Sequence, residues 1–243
     1  MFDALAAAGI NDPVSSLTHL VGAIAFAWLG VSLVREAEGD VVRRIAVVTF
    51  VFSCALMLLV SGLYHMSAQG GMARYVMQRV DHAAIFILIA ATFTPLHAIL
   101  LRGRGRWGVL AGVWALALAG LALKTMYFNS MPEWVGLTLY LAFGWLGIAS
   151  VVTIGQRFGP AFVRPLLCGA AAYTAGAFAD FANWPAPISP MIGSHEVFHV
   201  AVLAGIGFHW NFVRAVATGR VPLVPVVPRV VSKGEWPGAI RSA

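Results

Sequence analysis

Charged side chains are scarce in this chain of 243 residues: they make up 11% of it, whereas hydrophobic residues make up 60%. An average soluble domain is about 25% charged, because ionised groups cover much of its surface. The composition therefore argues against a soluble enzyme. Long apolar stretches recur from end to end instead, and they predict an all-α polytopic membrane protein. The ~10-residue alternating segments typical of a membrane β-barrel are missing.

Cysteine is also rare, and the two cysteines, Cys54 and Cys168, lie within apolar stretches. We expect both to be buried packing residues without a disulfide or thiol chemistry. No segment interleaves basic and aromatic residues, so the net charge of +6 does not indicate a nucleic-acid partner. Asp3 and Asp12 occupy the start of the chain where a signal peptide would carry basic residues, so no cleaved signal peptide is expected.

Seven apolar stretches are each close to the ~20 residues needed to cross the hydrocarbon of a bilayer. They cover residues 17–35, 42–65, 80–101, 107–125, 132–154, 162–182 and 196–216. The pattern predicts a seven-transmembrane-helix bundle over residues 17–216. A short external segment (1–16) precedes it, and a proline-rich cytoplasmic tail (217–243) follows it. Pro95 interrupts the third stretch, where it predicts a kink.

The basic residues predict the orientation of this bundle. Thirteen of the 16 Lys and Arg residues lie in, or within a few residues of, the first, third and fifth connections and the C-terminal tail. Lys and Arg are enriched on the cytoplasmic side of membrane proteins. The N-terminus is therefore expected outside and the C-terminus in the cytoplasm.

Histidines and one aspartate lie at the ends of the stretches that share the face of the N-terminus. His195 and His199 are four residues apart, so both project from one side of a helix, an arrangement that can offer two imidazoles to a metal. If the second and seventh helices are neighbours, His65 can supply a third nitrogen. Three histidines with an open fourth position are typical of catalytic zinc, and Asp81 at a similar depth can hold or deprotonate the bound water. The alternative is an interfacial histidine pair with no metal.

Three more residues are candidates for an outer layer around this site. His19 can be a further ligand or an outer contact, although a packing or capping role beside Thr18 fits equally well. Asp180 ends the sixth stretch on the same face, where an interfacial position is the alternative. Glu196 follows a candidate ligand but points about 100° away from it on a helix.

Four ordered motifs give the sequence a recognisable pattern: SGLYH at 61–65, RVDHAAI at 79–85, FTP at 93–95 and HEVFH at 195–199. They resemble the hemolysin III family, the bacterial branch of the progestin and adiponectin receptor superfamily. The resemblance extends from about residue 11 to residue 212.

This resemblance implies an intramembrane zinc with His65, His195 and His199 as ligands. It places Asp81 against the zinc-bound water, with Ser61 beside it. The implied chemistry is ceramidase-like hydrolysis of a lipid amide or ester in a bacterial inner membrane. Two features depart from the superfamily pattern. Ser15 stands where the family usually has Asn, and the charge count places the N-terminus outside, opposite to the adiponectin receptors.

Two functions remain open at this point. The first is a zinc-dependent lipid hydrolase with Asp81 and Ser61 as catalytic residues and a membrane lipid as substrate. The second is a non-enzymatic protein of membrane homeostasis or lipid sensing, in which zinc joins helices. A pore and a transporter are less well supported, because the sequence shows neither a continuous polar stripe nor an inverted repeat. Homo-oligomers are compatible with either function.

Overall fold

Helices make up most of the chain in a computed structural model that describes residues 11–37, 39–187 and 192–222. A π-helical turn, Leu96–Leu100, directly follows the helix that ends at Pro95. The helices are α1 (Pro13–Glu36), α2 (Val41–Met66), α3 (Met72–Pro95), α4 (Gly105–Met126), α5 (Glu133–Trp145), α6 (Ile148–Phe158), α7 (Pro160–Phe181) and α8 (Ser194–Ala217).

Among the described residues, seven helical segments are long and apolar enough to cross a membrane, with α5 and α6 together forming the fifth. The prediction of an all-α polytopic membrane protein with seven spans is thereby confirmed. The fifth span is broken between Trp145 and Ile148, whereas the sequence predicted one continuous stretch. The third span begins at Met72 rather than at residue 80, because its polar first turns, which carry Arg74 and Arg79, continue the helix beyond the apolar stretch.

Some helices begin at residues that favour a helix N-terminus. α1 begins at Pro13, before the predicted boundary at residue 17, and proline is favoured at the first helical position because it has no N–H to satisfy. Asp40 caps α2 by accepting a hydrogen bond from the backbone N–H of Arg43 at 2.9 Å. Residues 1–10 of the predicted external segment and 223–243 of the predicted tail lie outside the described residues.

α3 is the central helix of the bundle. Two-thirds of the apolar part of its span, 67%, is buried inside the protein, against 17% for the fifth span. α2 and α4 flank α3, α1 packs on α2 and α8, and α7 packs on α8. Apolar side chains such as Ile24, Trp28 and Phe52 are exposed on the outer surface, where lipid tails would cover them.

Glycines permit several of the close helix contacts. A Cβ added at Gly176 of α7 would lie 2.5 Å from the Cβ of Ala201 on α8, and one at Gly169 would lie 2.4 Å from the His209 ring. Small residues allow this approach, which is how helices associate in lipid. Gly112, by contrast, has open space beside it. At Pro95, where the sequence predicted a kink, α3 passes into the π-helical turn.

Candidate metal centre

Three imidazoles meet at one end of the bundle. His65 comes from the last turn of α2, and His195 and His199 come from the first two turns of α8. The Nε2 atom of His195 lies 3.3 Å from that of His65 and 3.2 Å from that of His199. One ligand atom from each of the three lies within 4.8 Å of the others, so the group could hold a metal ion.

Two carboxylates orient two of these rings. Asp12 accepts a hydrogen bond from Nδ1–H of His65 at 3.1 Å, and Asp180 accepts one from Nδ1–H of His195 at 3.2 Å. With the proton on Nδ1, the lone pair of each Nε2 points toward the common centre. Lone pairs that face one another at this distance repel unless a proton or a cation lies between them. The donor set therefore fits a metal ion.

Asp12 is itself held in place by a cation. Its Oδ2 atom accepts a second hydrogen bond, at 2.9 Å, from Arg74 at the start of α3. The guanidinium of Arg74 also lies 4.7 Å from the ring centre of Tyr64. The hydrogen bond with His65 and the charge of Arg74 lower the pKa of Asp12 to about 2, against the opposing effect of partial burial. Asp12 is therefore an anion at neutral pH and a strong acceptor.

The burial of the three rings is uneven. His65 and His199 are almost fully buried, with 3% and 2% of their surface exposed. The side chain of His195 is 42% exposed, so one flank of the group is open. Asp180, on the same flank, lies in the last turn of α7 and is 34% exposed. A ligand would reach the three nitrogens from this side.

Ser61 and Asp81 lie next to the histidine cluster without belonging to it. Ser61 precedes His65 by one turn of α2 and is buried. Its side chain approaches the carboxyl group of Asp81 on α3. Asp81 is not one of the three residues whose ligand atoms lie within 4.8 Å of one another.

The two remaining candidates make contacts other than ligation. The Nε2 atom of His19 lies 3.3 Å from the backbone oxygen of His199, and the centres of the two rings are 3.9 Å apart. Glu196 accepts hydrogen bonds from the backbone N–H of Gly193 and from Ser15, so it caps α8 and ties α8 to α1. Ser15, where the sequence departs from the family pattern, thus takes part in joining these helices.

Three further histidines do not belong to the cluster. His82 contacts the backbone oxygen of Gln78, His97 bonds to Ser150 and His209 contacts the backbone oxygen of Leu166.

Sequence reasoning missed Asp12 and Arg74 as members of the site. A signal was available for Asp12, since it directly precedes the first helix on the face where the histidines gather. Nothing in the sequence pairs it with a particular histidine.

Comparison with known proteins gives consistent results. A family model described as "Haemolysin-III related" matches residues 8–210. "Hemolysin-3" of Bacillus cereus is 29% identical over 197 residues, which is 80% of this chain and 86% of that protein. "Hemolysin-3 homolog" of Bacillus subtilis (strain 168) is 28% identical over the same length, 80% of this chain and 89% of that protein. An uncharacterized protein of Schizosaccharomyces pombe is 24% identical over 86% of this chain and 51% of its own length.

The match of the family model covers most of the described bundle, including all three histidines of the cluster. Seven apolar helices and this match agree on one assignment. The chain is an integral membrane protein and belongs to the haemolysin-III related family.

Proposed function

We propose that this protein is a zinc-dependent hydrolase that cleaves an amide or ester bond of a membrane lipid. The observation that carries the proposal is the convergence of three imidazoles, two of whose rings are oriented by Asp12 and Asp180, while one flank stays open. Neutral imidazoles are preferred ligands of zinc, and three protein ligands are typical of catalytic rather than structural zinc. A zinc ion held here would activate water for attack on a carbonyl group.

The residues beside the cluster have the properties that such a reaction needs. Asp81, whose carboxyl group approaches Ser61, would accept a proton from an attacking water. The Ser61 hydroxyl, which approaches Asp81, can donate a hydrogen bond to oxygen as negative charge develops on it. His195 and Asp180 line the exposed flank through which a lipid chain would approach from the bilayer.

The first test is hydrolysis by the purified protein. Wild type is expected to contain about one zinc per chain and to cleave a fluorescent ceramide or acyl-amide lipid. His199→Ala removes a ligand and is expected to lose both zinc and activity. His97→Ala is the matched control, because His97 is equally buried but bonds to Ser150 outside the cluster. Full zinc content without cleavage of any amide or ester lipid would rule out the hydrolase.

The second candidate function is a structural role for zinc, which is favoured because the site connects helices that are distant in sequence. The cluster joins α2 to α8, and His19 and Asp12 bring in α1 and the residue before it. In that case zinc joins the helices of a lipid-sensing or homeostatic protein, and Asp81→Asn leaves biological function intact. A stable, zinc-loaded Asp81→Asn protein without biological function supports the hydrolase instead.

We further propose that the histidine end of the bundle faces the outside of the bacterial inner membrane, with the C-terminus in the cytoplasm. Only Arg74, Arg79 and Lys124 among the 16 basic residues lie in or beside the connections at that end. Ser130→Cys places a thiol in a connection at the histidine end, and Arg104→Cys places one at the opposite end. An impermeant maleimide added to intact cells is expected to label only Ser130→Cys, and the reverse pattern would overturn this orientation.

A further inference from the structure

A groove lies between α1 and α2 on the outer surface, toward the end of the bundle opposite the histidine cluster. Its volume is about 420 Å³, and all the residues that line it belong to these two helices. Ala27 and Val31 line it from α1, and Phe52 and Ala55 line it from α2. Val31 and Phe52 are exposed, so the groove is open to the lipid that surrounds the bundle.

Small residues give the groove its shape. Ala27 and Ala55 leave room that longer side chains would fill. Gly30 lies so close to α2 that an added Cβ would overlap the side chain of Val51. The lining is apolar except for one side chain, that of Arg35. An apolar groove with a cation at one end matches a molecule that joins a hydrocarbon chain to an anionic group.

Arg35 lies in the last turn of α1, where the apolar part of this helix ends, and it is exposed. It forms an ion pair with none of the carboxylates in the described part of the chain. The neighbouring carboxylate of Glu36 pairs with Arg214 instead, at 3.3 Å. The charge of Arg35 is therefore available to an anion at the end of the groove.

A second arginine continues the groove on α2. Arg44 precedes Val48, which lines the groove, by one helical turn, so it projects from the same side of α2. Its side chain is exposed. Arg43, by contrast, projects toward α8 and donates hydrogen bonds to the backbone oxygens of Val216 and Ala217. The two adjacent arginines thus differ in role, because only Arg44 is on the side of the groove.

The depth of the groove corresponds to one leaflet of a bilayer. Between Ala27 and Arg35 the helix rises about 12 Å, at about 1.5 Å per residue. Half of the hydrocarbon core of a bilayer is about 15 Å thick. An acyl chain can therefore lie along the groove while its headgroup is level with Arg35.

A second copy of this chain fits the groove less well than a lipid. In a symmetric dimer the same surface of each copy meets the other. A two-fold contact through this groove would bring Arg35 and Arg44 of one copy near the same arginines of its partner, and like charges repel. An anionic headgroup has the opposite charge and complements both side chains.

We infer that the groove between α1 and α2 binds an anionic glycerophospholipid, with an acyl chain in the groove and the phosphate at Arg35 and Arg44. Guanidinium groups match the geometry of phosphate and bind it through paired hydrogen bonds. A zwitterionic headgroup would bring its own cation toward the two arginines, so it binds less well. Binding requires neither a metal nor hydrolysis and is independent of the function proposed above.

Native mass spectrometry of the purified full-length protein tests this inference. The protein is mixed with equal amounts of phosphatidylglycerol and phosphatidylcholine of the same chain length, and wild type is expected to retain mainly phosphatidylglycerol. Arg35→Gln is expected to reduce this retention about tenfold, as for loss of one charge-assisted hydrogen bond. Arg102→Gln is the matched control and should retain the lipid, because it removes an exposed positive charge at the same end of the bundle but from the connection between α3 and α4.

Further variants test the groove itself and exclude misfolding. Ala27→Trp fills the groove and is expected to lower retention although both arginines are present. Gly112→Trp adds the same side chain to an exposed face of α4, where nothing lies within 4 Å, and should retain the lipid. Arg35→Lys keeps the charge and is expected to keep the preference for phosphatidylglycerol, which a misfolded protein would not show.

Three results would overturn the inference. The first is equal retention of the two lipids by wild type. The second is an equal effect of Arg35→Gln and Arg102→Gln on retention. The third is a wild-type dimer that Ala27→Trp dissociates without a change in lipid retention, because the groove would then be a contact between copies of the chain.

Discussion

The Nδ1 atom of His65 lies 3.1 Å from the carboxylate of Asp12, although 53 residues separate them in sequence. The same carboxylate oxygen accepts a hydrogen bond from Arg74, so the anion is held from two sides. The backbone N–H of Asp12 also donates to the backbone oxygen of His65 at 3.2 Å. The first residues before α1 therefore fix the orientation of a ring at the end of α2.

Removal of this carboxylate is expected to weaken metal binding. Asp12→Ala leaves Nδ1 of His65 without its acceptor and should lower zinc affinity about 10–100-fold, the usual cost of losing such a partner. Competition with a coloured chelator measures the affinity. Glu36→Gln is the control, because Glu36 pairs with Arg214 at the far end of the bundle and should leave affinity unchanged. Equal affinities in wild type and Asp12→Ala would contradict this role.

Substitution of Asp81 is expected to separate chemistry from metal binding. Asp81→Asn keeps the shape of the side chain but cannot accept a proton as a carboxylate does, so turnover of a lipid substrate should fall about 10²–10⁴-fold. Zinc content should remain that of wild type, since Asp81 is not a member of the histidine cluster. The readouts are metal analysis and single-turnover hydrolysis on the same sample. Loss of zinc in this variant would instead make Asp81 a ligand.

Chelation is expected to lower the thermal stability of the wild-type protein. A ligand that binds only the folded state stabilises it by about 2.7 kcal/mol when its free concentration is 100 times Kd. Intrinsic fluorescence during heating, with and without a strong chelator, measures the shift in Tm. His199→Ala should show no shift, whereas His97→Ala should respond like wild type. A chelator shift that persists in His199→Ala would point to a metal bound elsewhere.

Helix packing at Gly176 is expected to tolerate no large side chain. Gly176→Leu forces its Cβ into Ala201 on α8 and should lower the free energy of unfolding by about 1–3 kcal/mol. Gly112→Leu adds the same side chain where nothing lies within 4 Å. Denaturation of both variants in mixed micelles measures the difference, and equal stabilities would show that α7 and α8 are less tightly packed than described.

The histidine cluster could be predicted from the sequence because two regular features determine its position. Helical spacing places His195 and His199 on one side of α8, and alternation of span direction brings the end of α2 to the same face. The number of membrane spans could likewise be predicted from hydropathy alone. The ligand roles of these residues nevertheless stay predictions until a metal is measured.

The contacts of the carboxylates could not be predicted from the sequence, for physical reasons. The pairing of Asp12 with His65 depends on the path of the chain before Pro13 and on Arg74, which lies in polar turns of α3 that hydropathy does not mark as part of the span. Glu196 shows the opposite case. Its position beside a candidate ligand suggested an outer contact, and its carboxylate accepts hydrogen bonds from the backbone N–H of Gly193 and from the hydroxyl of Ser15.

The division of the cluster between α2 and α8 has a consequence for biogenesis. His65, in α2, is synthesised early, whereas His195 and His199 belong to α8, the last span to be synthesised. The complete set of three nitrogens exists only after that span has entered the bilayer and docked. A metal ion that needs all three ligands could bind only after membrane insertion, and a chain truncated before Ser194 retains one of the three histidines.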